Sequence, residues 1–159
     1  MIAKLFTSII RISPKVQKVL WKWWYQRLAK RSAGIDWVFM NYGYTPLNGS
    51  PKLYLEEKDE KDRLFIQLYH YAAASVPIEN KSVLEVGSGR GGGASFIVRH
   101  HKPEEMTGLD FSPTAISLSQ NIHGEIPNLT FVQGDAEKLP FETKYSVSRT
   151  CEETILRPE

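Results

Sequence analysis

The first thirty residues have a helical pattern of apolar positions. Ser13-Pro14 is typical of a helix start, and Gly34 is typical of the residue just beyond a helix end. The pattern therefore predicts an amphipathic helix from Pro14 to about Arg31. The predicted apolar face comprises Val16, Val19, Leu20, Trp23, Trp24 and Leu28, and the opposite face carries Lys15, Lys18, Lys22 and Gln26.

A second helix is predicted over Asp59–Val76, with Pro77 ending it. The predicted buried stripe of this helix comprises Leu64, Phe65, Leu68, Tyr71, Ala72 and Val76. Between the two helices, residues 35–58 are rich in aromatic residues, glycine and proline, which favours loops or short elements.

After the second helix the pattern changes to short apolar runs separated by helical stretches. Strands are predicted at Ser82–Val86, Met106–Asp110 and Leu129–Gln133, and helices at Gly91–His101 and from Ser112-Pro113 to about His123. This alternation with short connections predicts an α/β fold with a Rossmann-like parallel sheet, preceded by the helical N-terminal segment. This pattern divides the chain into three predicted segments. Residues 1–58 form a basic helix and an aromatic cap, residues 59–141 a partial α/β domain, and residues 142–159 a divergent tail.

The composition fits one globular domain. The chain has 159 residues, of which 42% are hydrophobic and 24% charged, so a packed core is expected. No run reaches the roughly 18–20 apolar residues that a membrane span needs. The single cysteine, Cys151, excludes an internal disulfide framework and fits a reducing, cytoplasmic location. We expect no metal site.

The charge is distributed unevenly along the chain. Residues 1–32 contain eight lysines and arginines and no acid, whereas the rest contains twelve basic and eighteen acidic residues. The acidic body disfavours nucleic acid as a partner, and the basic arm favours an anionic surface. Two interpretations of residues 1–31 stay open: a peripheral membrane helix, or a helix packed on its own domain with a solvated basic face.

Val86 is followed by a glycine-rich segment, residues 87–93. Gly87, Gly89 and Gly92 satisfy the G-x-G-x-x-G pattern of dinucleotide-binding proteins, while Gly87, Gly89 and Gly91 satisfy the looser G-x-G-x-G of adenosylmethionine enzymes. Both patterns describe a strand that turns into a helix, where glycine lets a ligand approach the backbone. The glycines alone do not distinguish the two ligands.

Three carboxylates add to the glycine signal, and two of them, Glu85 and Asp135, favour adenosylmethionine. Asp110 ends the second strand, where an acid accepts hydrogen bonds from ribose hydroxyls of either ligand. Glu85 would repel a pyrophosphate at the turn but attract a sulfonium and an ammonium. Asp135 follows the third strand, where it could accept from the exocyclic amine of adenine.

These segments resemble the class I S-adenosylmethionine-dependent methyltransferases over about Leu53–Phe141. VLEVGSGRGGG is similar to their first motif, TGLDFS to their second-strand acid and GDAEKLPF to their adenine-side motif. A narrower resemblance, to phthiotriol/phenolphthiotriol dimycocerosate methyltransferases acting on lipids, is carried by Trp24-Tyr25, by residues 38–44, by residues 67–70 and by residues 91–95.

The resemblance implies S-adenosyl-L-methionine as cofactor and a methyl group transferred to a small, hydrophobic or lipid-like acceptor. It implies that the segment around Asn41–Tyr44 helps to cover the active site. No catalytic residue is assigned. The implied cofactor-binding residues are Glu85, Gly87, Ser88, Gly89, Gly91, Asp110, Phe111, Asp135 and Ala136, and the candidates for the substrate side are Tyr42, Tyr44, Tyr69 and His70.

After Phe141 the resemblance predicts an acidic turn and an apolar fourth strand, but residues 142–159 show no buried-strand run. The expectation is a C-terminally truncated enzyme that lacks its fourth and later strands and turns over poorly by itself. Two other functions stay open: a nicotinamide-dependent oxidoreductase, favoured by Gly87, Gly89 and Gly92 with Asp110, and a non-catalytic membrane-surface module, favoured by the N-terminal helix.

Overall fold

The computed structural model describes residues 37–46, 52–141 and 146–148, together with residues 16, 17, 19–21, 23, 24 and 27. The chain divides into two compact units, Met1–Asp36 and Trp37–Glu159. The predicted division at residues 58 and 141 stays a prediction.

In the first unit, every described residue from Val16 to Arg27 is helical, as the apolar pattern predicts. The side chains of Trp21, Trp23 and Trp24 are all more than half exposed. The guanidinium of Arg27 lies 5.5 Å from the centre of the Trp23 ring. The predicted cap residues and the lysines of the opposite face lie outside the described residues. No described helix is long and apolar enough to cross a membrane.

The second unit is an α/β fold with a parallel sheet, which confirms the predicted Rossmann-like class. Its elements are a 3-10 helix at Glu57–Asp62, α1 at Arg63–Ala74, β1 at Ser82–Val86, α2 at Gly92–His101, β2 at Glu105–Asp110, α3 at Pro113–His123, β3 at Leu129–Gln133 and β4 at Ser146–Ser148. The strand order is β3-β2-β1-β4, and every neighbouring pair is parallel. The predicted bounds of β1 and β3 are confirmed.

The prediction that no fourth strand follows was wrong. Ser146–Ser148 pairs with β1, with Val83 opposite Ser146 and Glu85 opposite Ser148. The signal was missed because the three residues Ser-Val-Ser form no apolar run. Because β4 lies on the opposite side of β1 from β2, the strand order reverses at β1. In open α/β sheets such a reversal marks the ligand-binding edge.

The predicted buried stripe of the second helix was also wrong. α1 buries Ile66, Tyr69 and Ala73, whereas Leu64 and Tyr71 are exposed. Nearly every side of this helix carries apolar residues, so periodicity alone could not choose the buried face. The helix also starts as a 3-10 turn and ends at Ala74, earlier than predicted.

The core lies between the sheet and α1, with α2 at its centre. Every residue from Gly92 to Val98 in α2 is buried, and Phe96 is fully inaccessible. A two-pronged ion pair joins this helix to the 3-10 turn, with Arg99 Nη1 2.6 Å from Asp59 Oδ2 and Nη2 3.2 Å from Oδ1. At the start of α3, Ser112 Oγ accepts a hydrogen bond from the Ala115 N–H at 3.3 Å, as the predicted cap requires.

Candidate cofactor site

The glycine turn after β1 closes onto the end of β2. The N–H groups of Gly87 and Ser88 both donate to the carbonyl oxygen of Leu109, at 2.7 and 3.0 Å. Gly87, Gly89 and Gly91 have φ values of +81°, +54° and +80°. This left-handed backbone favours glycine, so the alternating glycines set the shape of the turn.

Asp110 ties the turn to the loop after β2. Its Oδ2 accepts from the Gly89 N–H and its Oδ1 from the Ser112 N–H, each at 2.8 Å. Hydrogen bonds from backbone amides to a carboxylate are short and strong. A carboxylate has about four lone-pair sites, so these two bonds leave it able to accept from ribose hydroxyls. Phe111 follows directly, with its side chain partly exposed.

Ser88 brings a buried polar atom to the turn. Its Oγ is inaccessible to solvent and has no hydrogen-bond partner among the residues that the structure describes. It lies above β2, where a Cβ on Gly108 would come within 2.9 Å of it. A buried hydroxyl without a partner is costly unless a ligand completes it. Together with the left-handed turn and the Asp110 carboxylate, this atom makes the turn fit a nucleoside ligand.

Glu85 lies behind the turn on β1 and is fully buried, with 0% of its surface exposed. The Tyr69 hydroxyl of α1 donates to Glu85 Oε1 at 3.0 Å. Glu85 is paired with Gly108 across the sheet. The carboxylate therefore lies inside the protein, where its charge is only weakly screened.

Asp135 lies at the same edge of the sheet as Asp110. The Gly134 N–H donates to the Asp110 carbonyl oxygen at 3.0 Å. Asp135 Oδ1 accepts from the Glu137 N–H at 3.0 Å, and Asp135 forms an isolated bridge with Lys138. Ala136, next along the chain, is exposed. The ends of β1, β2 and β3 thus meet as the parallel order requires.

The segment Trp37–Met40 lies against the glycine turn. Arg90 Nη1 donates to the Trp37 carbonyl oxygen at 2.8 Å, and its guanidinium lies 5.5 Å from the centre of the Trp37 ring. Burial lowers the pKa of Arg90. A Cβ on Gly89 would lie 3.4 Å from Met40 Sδ, and a Cβ on Gly92 only 2.8 Å from the Val38 carbonyl oxygen. Absence of a side chain at Gly92 is what lets this segment approach.

The four substrate-side candidates lie in different surroundings. Tyr42 is 88% exposed, and Tyr44 stacks on Tyr71 with ring centres 4.8 Å apart. Tyr69 faces inward to Glu85. His70 Nδ1 lies 3.3 Å from Nε2 of His101, the last residue of α2. Since the ten-residue α2 is about 14 Å long, His70 contacts the end of that helix opposite the glycine turn.

Sequence reasoning missed several residues at this site. Met40 and Arg90 lie in segments that carry the resemblance, but neither is predicted as a site residue, since their roles arise from contacts between distant segments. Gly93 did carry a signal, because it ends the glycine run. His123 was also not predicted. It lies next to the glycine turn, since a Cβ on Gly91 would lie 3.0 Å from its Cδ2, and burial lowers its pKa.

The fold is the α/β fold that class I methyltransferases share. Residues 83–155 match the model of a methyltransferase domain. This match extends beyond Phe141, where the predicted resemblance ends. The crystal structure of geranyl diphosphate C-methyltransferase from Streptomyces coelicolor superposes with a TM-score of 0.52 at 15% identity, over 74% of this chain and 49% of that one. At this identity the likeness concerns the fold alone.

Two curated relatives are methyltransferases with lipids in their names. The chain is 43% identical over 128 residues to the probable phthiotriol/phenolphthiotriol dimycocerosates methyltransferase 2 of Mycobacterium ulcerans, covering 80% of this chain and 49% of the relative. It is 44% identical over 137 residues to a fatty-acid O-methyltransferase of Mycolicibacterium smegmatis, covering 85% and 47%. The predicted resemblance to lipid-directed class I methyltransferases is confirmed. The chain spans about half the length of the curated relatives it matches.

Proposed function

We propose that this chain supplies the adenosylmethionine-binding part of a methyltransferase that acts on a hydrophobic, lipid-like acceptor. The single observation that carries the proposal is the hydrogen bond from the Gly89 N–H to Asp110 Oδ2, which joins the glycine turn to the acid that would hold a ribose. The names of the relatives support a lipid-like acceptor, since one carries phthiotriol and the other a fatty acid in its name.

The residues of the chain have distinct roles in this proposal. Asp110 would accept from the ribose hydroxyls, Ser88 Oγ would gain a partner, and Asp135 would lie on the adenine side. S-adenosylmethionine supplies an activated methyl group, whose bond to sulfur breaks as a bond to the acceptor forms, leaving a neutral thioether. Alignment and exclusion of water contribute most of the rate effect in such a displacement. Met40 and the partly exposed Phe111 offer apolar surface for a hydrophobic acceptor.

The charge of the site argues against the nicotinamide alternative. Glu85 is buried behind the turn and would repel a pyrophosphate placed there. The buried basic side chain nearest along the chain, Arg90, is directed at the Trp37 carbonyl oxygen. The family match likewise favours methyl transfer over nicotinamide chemistry and over a non-catalytic module.

Calorimetric titration of the purified chain tests the cofactor. We expect heat with S-adenosylhomocysteine and none with NAD⁺ at the same concentrations. Asp110→Asn keeps the size of the side chain but removes its charge, and it should weaken binding about tenfold or more. Glu79→Gln is a matched control, because this acid is exposed and precedes β1. Binding of NAD⁺ without S-adenosylhomocysteine would overturn the assignment.

The acceptor is tested separately, with S-adenosylmethionine labelled on the methyl group. Label should enter the organic extract with long-chain fatty acids or polyol lipids as acceptors, and should not enter water-soluble amines. Label found in the amines alone would contradict the lipid assignment while leaving the cofactor assignment intact.

We further propose that residues 1–31 bring the domain to an anionic membrane surface. The exposure of Val19, Trp23 and Trp24 on the predicted apolar face supports this, because an apolar, aromatic face beside basic residues is typical of interfacial helices. The chain should sediment with vesicles containing phosphatidylserine, less so at high salt, and not with phosphatidylcholine alone. Replacing Lys15, Lys18 and Lys22 together by glutamine should weaken binding, at about 1 kcal/mol for each lysine. Equal sedimentation of the triple variant would contradict the proposal.

A further inference from the structure

Tyr69 reaches the interior of the domain from α1. Only 7% of its surface is exposed, and its hydroxyl donates to Glu85 Oε1 at 3.0 Å. Its ring also lies 6.0 Å from that of Phe39, in the segment that covers the glycine turn. Tyr69 thus contacts both the covering segment and the carboxylate behind the turn.

The first turn of α2 is shaped to admit this side chain. A Cβ on Gly93 would lie 1.9 Å from Tyr69 Cε1, 2.0 Å from Cζ and 2.5 Å from the hydroxyl oxygen. Real Cβ atoms do not approach other atoms so closely. Gly93 therefore provides the space through which the Tyr69 ring passes to Glu85, which gives the last glycine of the run a role apart from the turn itself.

Glu85 influences the turn through its charge. It is fully buried next to Val86 and Gly87, so little water screens it from a cation bound at the turn. A hydroxyl that donates to a carboxylate favours its ionised form and holds it in one orientation. A carboxylate has about four lone-pair sites, so one hydroxyl leaves capacity for other donors.

We infer that Tyr69 is a positioning residue that orients Glu85 toward the cationic amino-acid end of the cofactor, through a channel that Gly93 keeps open. The inference rests on the proposed cofactor site. It assigns Tyr69 to the cofactor rather than to the substrate side, for which the sequence made it a candidate.

Two nucleosides separate this role from a structural one. S-adenosylhomocysteine carries the amino-acid group with its ammonium, whereas 5′-methylthioadenosine has the same adenosine and sulfur without that group. Tyr69→Phe, which removes only the hydroxyl, should weaken binding of S-adenosylhomocysteine about tenfold. Binding of methylthioadenosine should stay within about twofold. Tyr71→Phe is the matched control, because Tyr71 lies on the same helix with an exposed ring, and it should change neither affinity.

Glu85→Gln provides a second variant, which keeps an oxygen for the Tyr69 hydroxyl but removes the charge. It should show the same selective loss, and Tyr69→Phe should add little to it. Equal weakening of both nucleosides, or no weakening, would overturn the role of Tyr69 while leaving the proposed cofactor intact. A wild-type chain that binds neither nucleoside would overturn both proposals.

Discussion

Replacing Gly93 by alanine should destabilise the chain, although alanine is the better helix former. At an unhindered helical site the exchange stabilises by about 1 kcal/mol. Here the new Cβ would lie 1.9 Å from Tyr69 Cε1, whereas ordinary contact begins at 3.4 Å, so the ring must move by the difference. A displacement of that size breaks the 3.0 Å hydrogen bond to Glu85.

The magnitude follows from these opposing effects. Overpacking costs about 1–3 kcal/mol, and losing a hydrogen bond to a charged group costs about 1.5–3 kcal/mol. After the gain in helix propensity, we expect a net loss of about 2–4 kcal/mol in the free energy of unfolding. Urea unfolding followed by far-ultraviolet circular dichroism measures it through the midpoint at constant slope.

A double-mutant cycle tests the cause of this loss. In a Tyr69→Phe background no hydroxyl bond is left to break, so Gly93→Ala should cost less by about 1.5–3 kcal/mol. Stabilisation by Gly93→Ala, or the same cost in both backgrounds, would refute the idea that this glycine makes room for Tyr69.

Three further predictions concern other contacts. Asp110→Asn should lower the free energy of unfolding by about 1–3 kcal/mol, because the Gly89 and Ser112 N–H groups lose a charged acceptor; a urea midpoint equal to that of wild type would contradict this. Arg99→Met should lower the free energy of unfolding by about 2 kcal/mol, because Asp59 is left buried without its ion pair, and Arg99→Lys should restore part of it in the same urea assay. Burial lowers the pKa values of His100, His101 and His123, so the unfolded chain binds more protons than the folded one. As the pH is lowered from about 7.5 to about 5.5, through the ordinary histidine pKa of about 6.5, the urea midpoint should therefore fall. A midpoint that rises as the pH is lowered would contradict this.

The central strands and their connections could be predicted from the sequence. β1 and β3 are short segments rich in apolar residues, and Ser112-Pro113 is a local cap signal, so neighbours along the chain are enough to predict them. β4 could not be predicted in this way, because Ser-Val-Ser has no apolar run and its pairing with β1 joins segments far apart in the chain.

The residues of the site likewise divide into those with a local sequence signal and those that depend on contacts between distant segments. Asp110 could be predicted because an acid at the end of a strand next to a glycine turn has a local signature. The contact of Met40 with Gly89 and that of Arg90 with Trp37 join segments about fifty residues apart, which no short pattern records. The complete burial of Glu85 was equally hidden, since the helix that covers it turns a different face inward from the one its hydrophobicity predicted.

The glycines of the turn and of the first turn of α2 have different structural roles. Gly89 and Gly91 shape the turn, Gly92 leaves room for the Val38 carbonyl and Gly93 leaves room for Tyr69. A rigid helical turn cannot shift at one of these positions without shifting at the others. A ligand that shifts the turn therefore also changes the contacts of α2 with the segment Trp37–Met40 and with α1, so binding at the turn is coupled to the packing of both neighbours.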